Sequence, residues 1–124
     1  MGRLVVVYNK SIDTLDVGDV HTYFSLRKQL LPSGKKVNLV TLPLDSPDTT
    51  RFTQAIFDFF PYQLARVWDA RVFAGKGTLP DEVYDHDTLI AFILGNKTGL
   101  GYLVMKESDI KELSEQVNVL LIEE

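Results

Sequence analysis

Leu4, Val5, Val6, Val7 and Tyr8 form an unbroken apolar run, β-branched at its centre and closed by Asn9, Lys10 and Ser11. That length and composition suit a strand buried on both faces, as in an α/β sheet. Val17, Val20, Tyr23 and Phe24 then recur at helical spacing, with Asp16 placed as N-cap. Gly18 weakens that helix by about 1 kcal/mol relative to Ala. Pro32, Ser33 and Gly34 read as a turn, because Pro presets φ and Gly accepts a positive one. Residues 37–42 give a second strand, ended by Pro43.

The strongest helix signal follows. Ser46 caps, Pro47 suits the first helical position, and Asp48 complements the positive end of the macrodipole. Phe52, Ile56, Phe59 and Phe60 give that helix an apolar face. Pro61 divides it from another helix with the stripe Leu64, Val67, Trp68 and Val72, which Gly75 and Gly77 stop. Asp85 or Asp87 caps a fourth helix, running through Leu89 and Ile93 to Gly95. Gly99 and Gly101 enter a strand through Tyr102, a short helix covers about 108–113, and residues 117–122 form the last strand. The order β α β α α α β α β predicts an α/β fold: a mixed, mostly parallel sheet with helices on both faces. Strands 4–8 and 37–42 are expected as central neighbours, with Trp68 buried. Gly99 or Gly101 is expected to hold positive φ or to pack where no Cβ fits.

Composition narrows the class. At 124 residues, with 45% hydrophobic and 24% charged positions, residues 1–124 read as a single domain without a linker. The absence of cysteine excludes a disulfide scaffold, a cysteine-containing zinc site, an iron–sulfur cluster and thiol chemistry. No apolar run approaches the roughly 20 residues that span a bilayer. A net charge of -4 argues against nucleic acid, whose binders carry a basic excess. The charge is uneven: residues 1–44 hold six Lys/Arg against three Asp, and residues 81–124 hold three Lys against ten Asp/Glu. Solvated faces and an acidic tail account for this, as does a dipolar surface that steers a partner. Met1, Gly2 and Arg3 run straight into Leu4 without a signal peptide, which fits a cytoplasmic protein or the mature part of an exported one.

Catalytic motifs are hard to find. Residues 70–77 approach a P-loop, but Ala70 stands where Gly is needed and Gly77 where the magnesium-binding hydroxyl belongs. A glycine helix stop is the simpler reading. Asp85, His86 and Asp87 resemble metal ligands or a base with orienting acids, yet no second His or spaced carboxylate completes the set, so a capping turn is favoured. Trp68 with Phe52, Phe57, Phe59, Phe60 and Phe73 reads as core by its helical spacing, against a ligand pocket. No catalytic residue, metal or cofactor is expected. The place where an anion is at home is the helix start at Ser46, where backbone N–H groups and the hydroxyls of Ser46, Thr49 and Thr50 converge, with Arg51 one turn in. Pro47 offers no N–H, and Asp45 and Asp48 repel an anion, so capping competes with binding there.

Several landmarks occur together in one order: Phe24-Ser25-Leu26, Leu31-Pro32-Ser33-Gly34, Ser46-Pro47 followed by Phe52, and Trp68. Val72-Phe73-Ala74-Gly75-Lys76-Gly77, Pro80 and Asn96-Lys97-Thr98-Gly99-Leu100-Gly101-Tyr102 continue it. This succession resembles the short, single-lobe members of the phosphate ABC transporter substrate-binding-like family, of the type 2 periplasmic binding protein fold. The resemblance covers about residues 4–104. It implies a non-enzymatic, exported, periplasmic module that holds phosphate or another small oxyanion for an ABC transporter, through Ser46, Thr49, Thr50 and Arg51. In the family's full-length binders the loop reads Asp-Gly-Ser-Gly-Thr with an Arg upstream. Here Ser46 keeps the serine, while Pro47, Asp48 and Leu42 replace glycine, threonine and arginine. One lobe supplies half a cleft, which implies a second copy or another protein to complete it. The alternative is a protein–protein interaction module that kept the fold and lost the ligand.

Overall fold

The computed structural model describes residues 2–123. In chain order the elements are β1 (Arg3–Tyr8), α1 (Val17–Phe24), β2 (Asn38–Thr41), α2 (Pro47–Phe57), α3 (Pro61–Phe73), β3 (Asp81–Glu82), α4 (His86–Gly95), β4 (Gly99–Met105), α5 (Glu107–Leu113) and β5 (Asn118–Glu123). The local signals act where the sequence puts them. Asp16 caps α1 and, with Asp19, forms a reciprocal capping box. Ser46 caps α2 with Pro47 behind it. Asp85, rather than Asp87, caps α4 by accepting from the Thr88 N–H at 2.7 Å. Gly34 and Gly75 take positive φ in the turn after Leu31 and at the end of α3.

The strands form one mixed sheet in the order β3-β2-β4-β1-β5. Four strands run the same way; β1 runs against both its neighbours. The expectation that strands 4–8 and 37–42 are neighbours is therefore corrected, because β4 lies between them. β1 pairs with β4 over six positions, from Arg3 opposite Met105 to Tyr8 opposite Leu100, whereas β2 meets β4 at only two. Since β1 and β2 point in opposite directions, the crossover rule for consecutive parallel strands does not bring them together.

β3 is an addition to the expected order. It is two exposed acidic residues held by parallel pairing to Val40 and Thr41, so it carries no apolar signal.

Successive residues of a strand face opposite sides of the sheet, and β4 shows what covers each. Tyr102 stacks on Phe52 of α2 with centroids 4.0 Å apart and meets the edge of Phe24 of α1. Gly101 faces the other way: a Cβ there would lie 2.5 Å from Val40 Cγ1 and 3.5 Å from Leu89 Cδ2 of α4. Helices thus occupy both faces, and Gly101 is the glycine that packs where no Cβ fits. α3 lies on the α1–α2 side, anchored by Trp68, whose Nε1 donates to the Phe24 carbonyl at 2.6 Å. Of its expected stripe, Leu64 and Trp68 are buried, Val67 is half-buried and Val72 is exposed, because α3 covers the core along one narrow line.

Candidate functional site

β2, β3 and β4 are parallel, so their carboxyl ends share one edge of the sheet. The chain leaving β2 enters α2, and the chain leaving β3 enters α4, so the positive ends of both helices converge there. Open α/β sheets hold ligands beyond this edge.

At the start of α2 the backbone N–H groups are engaged from within. The Ser46 hydroxyl accepts from the Asp48 N–H at 3.2 Å, and the N–H groups of Thr49 and Thr50 both bond the Ser46 carbonyl. Thr49 is fully buried, its Oγ1 donating to the Pro43 carbonyl at 2.8 Å. Arg51 turns across the sheet edge, where Nε bonds Glu123 Oε1 at 2.6 Å and a terminal nitrogen bonds the Gly2 carbonyl. Ser46, Thr49, Thr50 and Arg51 are therefore neighbours along the helix but face different partners.

Asp48 holds the centre of this edge. Its side chain is 15% exposed. Oδ2 accepts from the Val104 N–H at 3.1 Å, past the last rung that β2 makes with β4. The same oxygen lies 2.6 Å from His86 Nε2, at the first position of α4. A carboxylate acceptor assigns the proton between them to the imidazole. One carboxylate thus bridges two helix starts and a strand end, using donors that an oxyanion would use.

Beneath lies a hydroxyl cluster. Tyr102 Oη is 2.7 Å from Thr41 Oγ1 and 2.7 Å from Thr49 Oγ1, and accepts from the Leu42 N–H at 3.3 Å. Burial pushes the Tyr102 phenol above the ordinary tyrosine value, against the lowering effect of the threonine hydrogen bonds. The cluster locks the β2–α2 turn to β4 and so fixes the site from below.

Asp85, His86 and Asp87 act separately. The Thr88 hydrogen bonds hold the Asp85 carboxyl below the usual aspartate range, and His86 serves Asp48. Among the described residues no group of three or more His, Cys, Asp or Glu gathers to hold a metal. No described helix is long and apolar enough to cross a membrane. The other histidine, His21, packs its ring on Phe57 with centroids 4.6 Å apart. Residues 70–77 are the end of α3 and its glycine stop, with Gly77 against Leu26. Sequence reasoning missed the Asp48–His86–Val104 junction. Its members lie 38 and 56 positions from Asp48, and no local spacing signals a pairing across that distance.

The fold as a whole is similar to part of several solved phosphate-receptor structures. The chain is similar to an ABC-type phosphate transport receptor from Vibrio cholerae, with a TM-score of 0.64 and 12% identity, covering 96% of this chain and 45% of that one. It is similar to PstS from Borrelia burgdorferi, with a TM-score of 0.72 and 12% identity, covering 97% and 47%. A possible phosphate binding protein from Planctomyces limnophilus gives 0.64 and 14%, covering 96% and 40%. The chain spans less than half the length of each. At these identities the shared property is the fold. No protein-family model matches the sequence, and no match to it was found among the curated proteins.

Proposed function

We propose that this chain is a non-enzymatic, solute-binding-protein-like domain that works by docking another protein, its anion site filled by its own carboxylate. The observation that carries this reading is the Asp48 carboxylate, bonded to Val104 N–H and His86 at the start of α2. With the N–H groups of Asp48, Thr49 and Thr50 and the Thr49 hydroxyl already bonded within the turn, a phosphate there must displace existing bonds and approach a fixed negative charge. The likeness to phosphate transport receptors supports a periplasmic, transport-related setting. A component of an ABC transporter, or a second copy completing the half-cleft, suits the coverage of under half of those receptors.

The competing reading is phosphate or another oxyanion held by Ser46, Thr49, Thr50 and Arg51. Phosphate titration of the wild type and Asp48→Asn, at fixed ionic strength and followed by amide shifts at residues 46–51, separates the two. Docking predicts for the wild type at best about millimolar affinity, near -4 kcal/mol, and tighter binding once the like charge of Asp48 is removed. Micromolar phosphate binding by the wild type overturns the docking reading.

A further inference from the structure

Between α4 and α5, adjoining His86, lies an open groove of about 500 Å³. Its apolar lining is Ile90 from α4, Val104 and Met105 from the end of β4, and the nearly fully buried Leu113 from α5. Its walls carry Asp87, Asp109 and Glu112, against the single ammonium of Lys106. His86 also reaches the rim, but its ring is committed to Asp48. The groove is large enough to take several side chains of a partner. It sits in the most acidic part of the chain, residues 81–124, which hold ten Asp/Glu against three Lys.

We infer that this groove docks a basic amphipathic segment of a partner protein, one that lays apolar side chains on the half-buried Ile90 and Met105 while Lys or Arg side chains meet Asp87, Asp109 and Glu112. The charge pattern selects that occupant. An acidic or neutral amphipathic segment would leave three carboxylates facing like charge or bare apolar surface, which specificity by repulsion disfavours. The apolar lining excludes a purely polyionic ligand as the best fit, since its burial is the non-electrostatic part of the binding. The inference rests on the docking reading above and names the chemistry of its partner.

The test uses a fluorescein-labelled synthetic peptide of Lys and Leu at helical spacing, with a Glu/Leu peptide of the same pattern as comparison, titrated against the whole chain at fixed ionic strength. The Lys/Leu peptide is expected to bind, with amide shifts at residues 87–90 and 105–113, and the Glu/Leu peptide is not. Asp109→Asn/Glu112→Gln, and separately Ile90→Ser, are expected to weaken binding about tenfold, the scale of one interface hot spot. Asp13→Asn/Asp69→Asn removes the same charge elsewhere and is expected to change it by less than about twofold, as rim charges do. Circular dichroism melts confirm that each variant is folded. Equal weakening by both double variants, or no binding of the Lys/Leu peptide, overturns the groove as the site. If that happens while phosphate still leaves residues 46–51 silent, the docking reading survives without this surface; micromolar phosphate binding removes the reading itself.

Discussion

Asp48 and His86 meet at 2.6 Å across 38 residues of chain, joining the first turn of α2 to the first turn of α4. Because Asp48 also accepts the Val104 N–H, the contact fixes the carboxyl edge of the sheet as well as the two helices. Asp48→Ala removes an acceptor for a part-buried strand-end amide and for an imidazole at once. A loss of about 1.5–3 kcal/mol is expected, the range for hydrogen bonds to a charged group. Urea unfolding measures it, and faster hydrogen exchange of the Val104 amide relative to Leu103 assigns it to this junction.

Gly101 is close-packed rather than strained. Its missing side chain leaves room for Val40, whose Cγ1 would stand 2.5 Å from a Cβ, with the Val40 carbonyl at 3.3 Å. Val40 is fully buried and, being β-branched, has little rotamer freedom with which to yield. Gly101→Ala is expected to cost about 1–3 kcal/mol as overpacking. Gly99→Ala meets its nearest neighbour at 3.2 Å, a milder approach, and is expected to lose less in the same unfolding experiment.

Trp68 is the anchor of α3. The residue is 5% exposed, and its Nε1 donates to the Phe24 carbonyl. Trp68→Ala is expected to cost about 3–5 kcal/mol, the loss of a large core aromatic. Trp68→Phe keeps part of the volume but leaves the Phe24 carbonyl without this donor, and is expected to lose less than Trp68→Ala in chemical denaturation.

The alkaline limb of stability should report Tyr102. Folding holds its proton more tightly than the unfolded chain does, because burial raises its pKa above the ordinary 10.0. The folded state therefore binds more protons than the unfolded state above that value, and stability falls as pH rises from there toward the higher folded pKa. Well below the ordinary value of 10.0 the phenol is protonated in both states and contributes no slope. Tyr23 is raised in the same direction, mainly by desolvation. Tyr102→Phe is expected to flatten part of the slope, leaving the Tyr23 share, in melts taken between neutral and strongly alkaline pH.

Residue order alone determined the local features of this protein. The caps at Asp16 and Ser46, a cap at Asp85 or Asp87, the turn at Gly34 and the glycine stop at Gly75 are decided within about one helical turn of chain, where side chain and backbone compete for the same hydrogen bonds. The buried run 4–8 and the burial of Trp68 were legible from apolar periodicity, which also read the exposed Phe60 and Phe73 as core, and close packing was expected at Gly99 or Gly101 without a choice between them. Tertiary structure decided the rest. Strand order depended on the six-position pairing of β1 with β4, a comparison of ladders that no single segment contains. β3 exists only through its neighbour β2, since Asp81 and Glu82 carry no strand signal of their own. The same holds at the candidate site: the sequence places Asp48 at a helix start, but only the fold brings Val104 and His86 to its carboxylate. Local signals fix elements because their energetics are local; partners are fixed by packing, whose contacts join residues far apart in the chain.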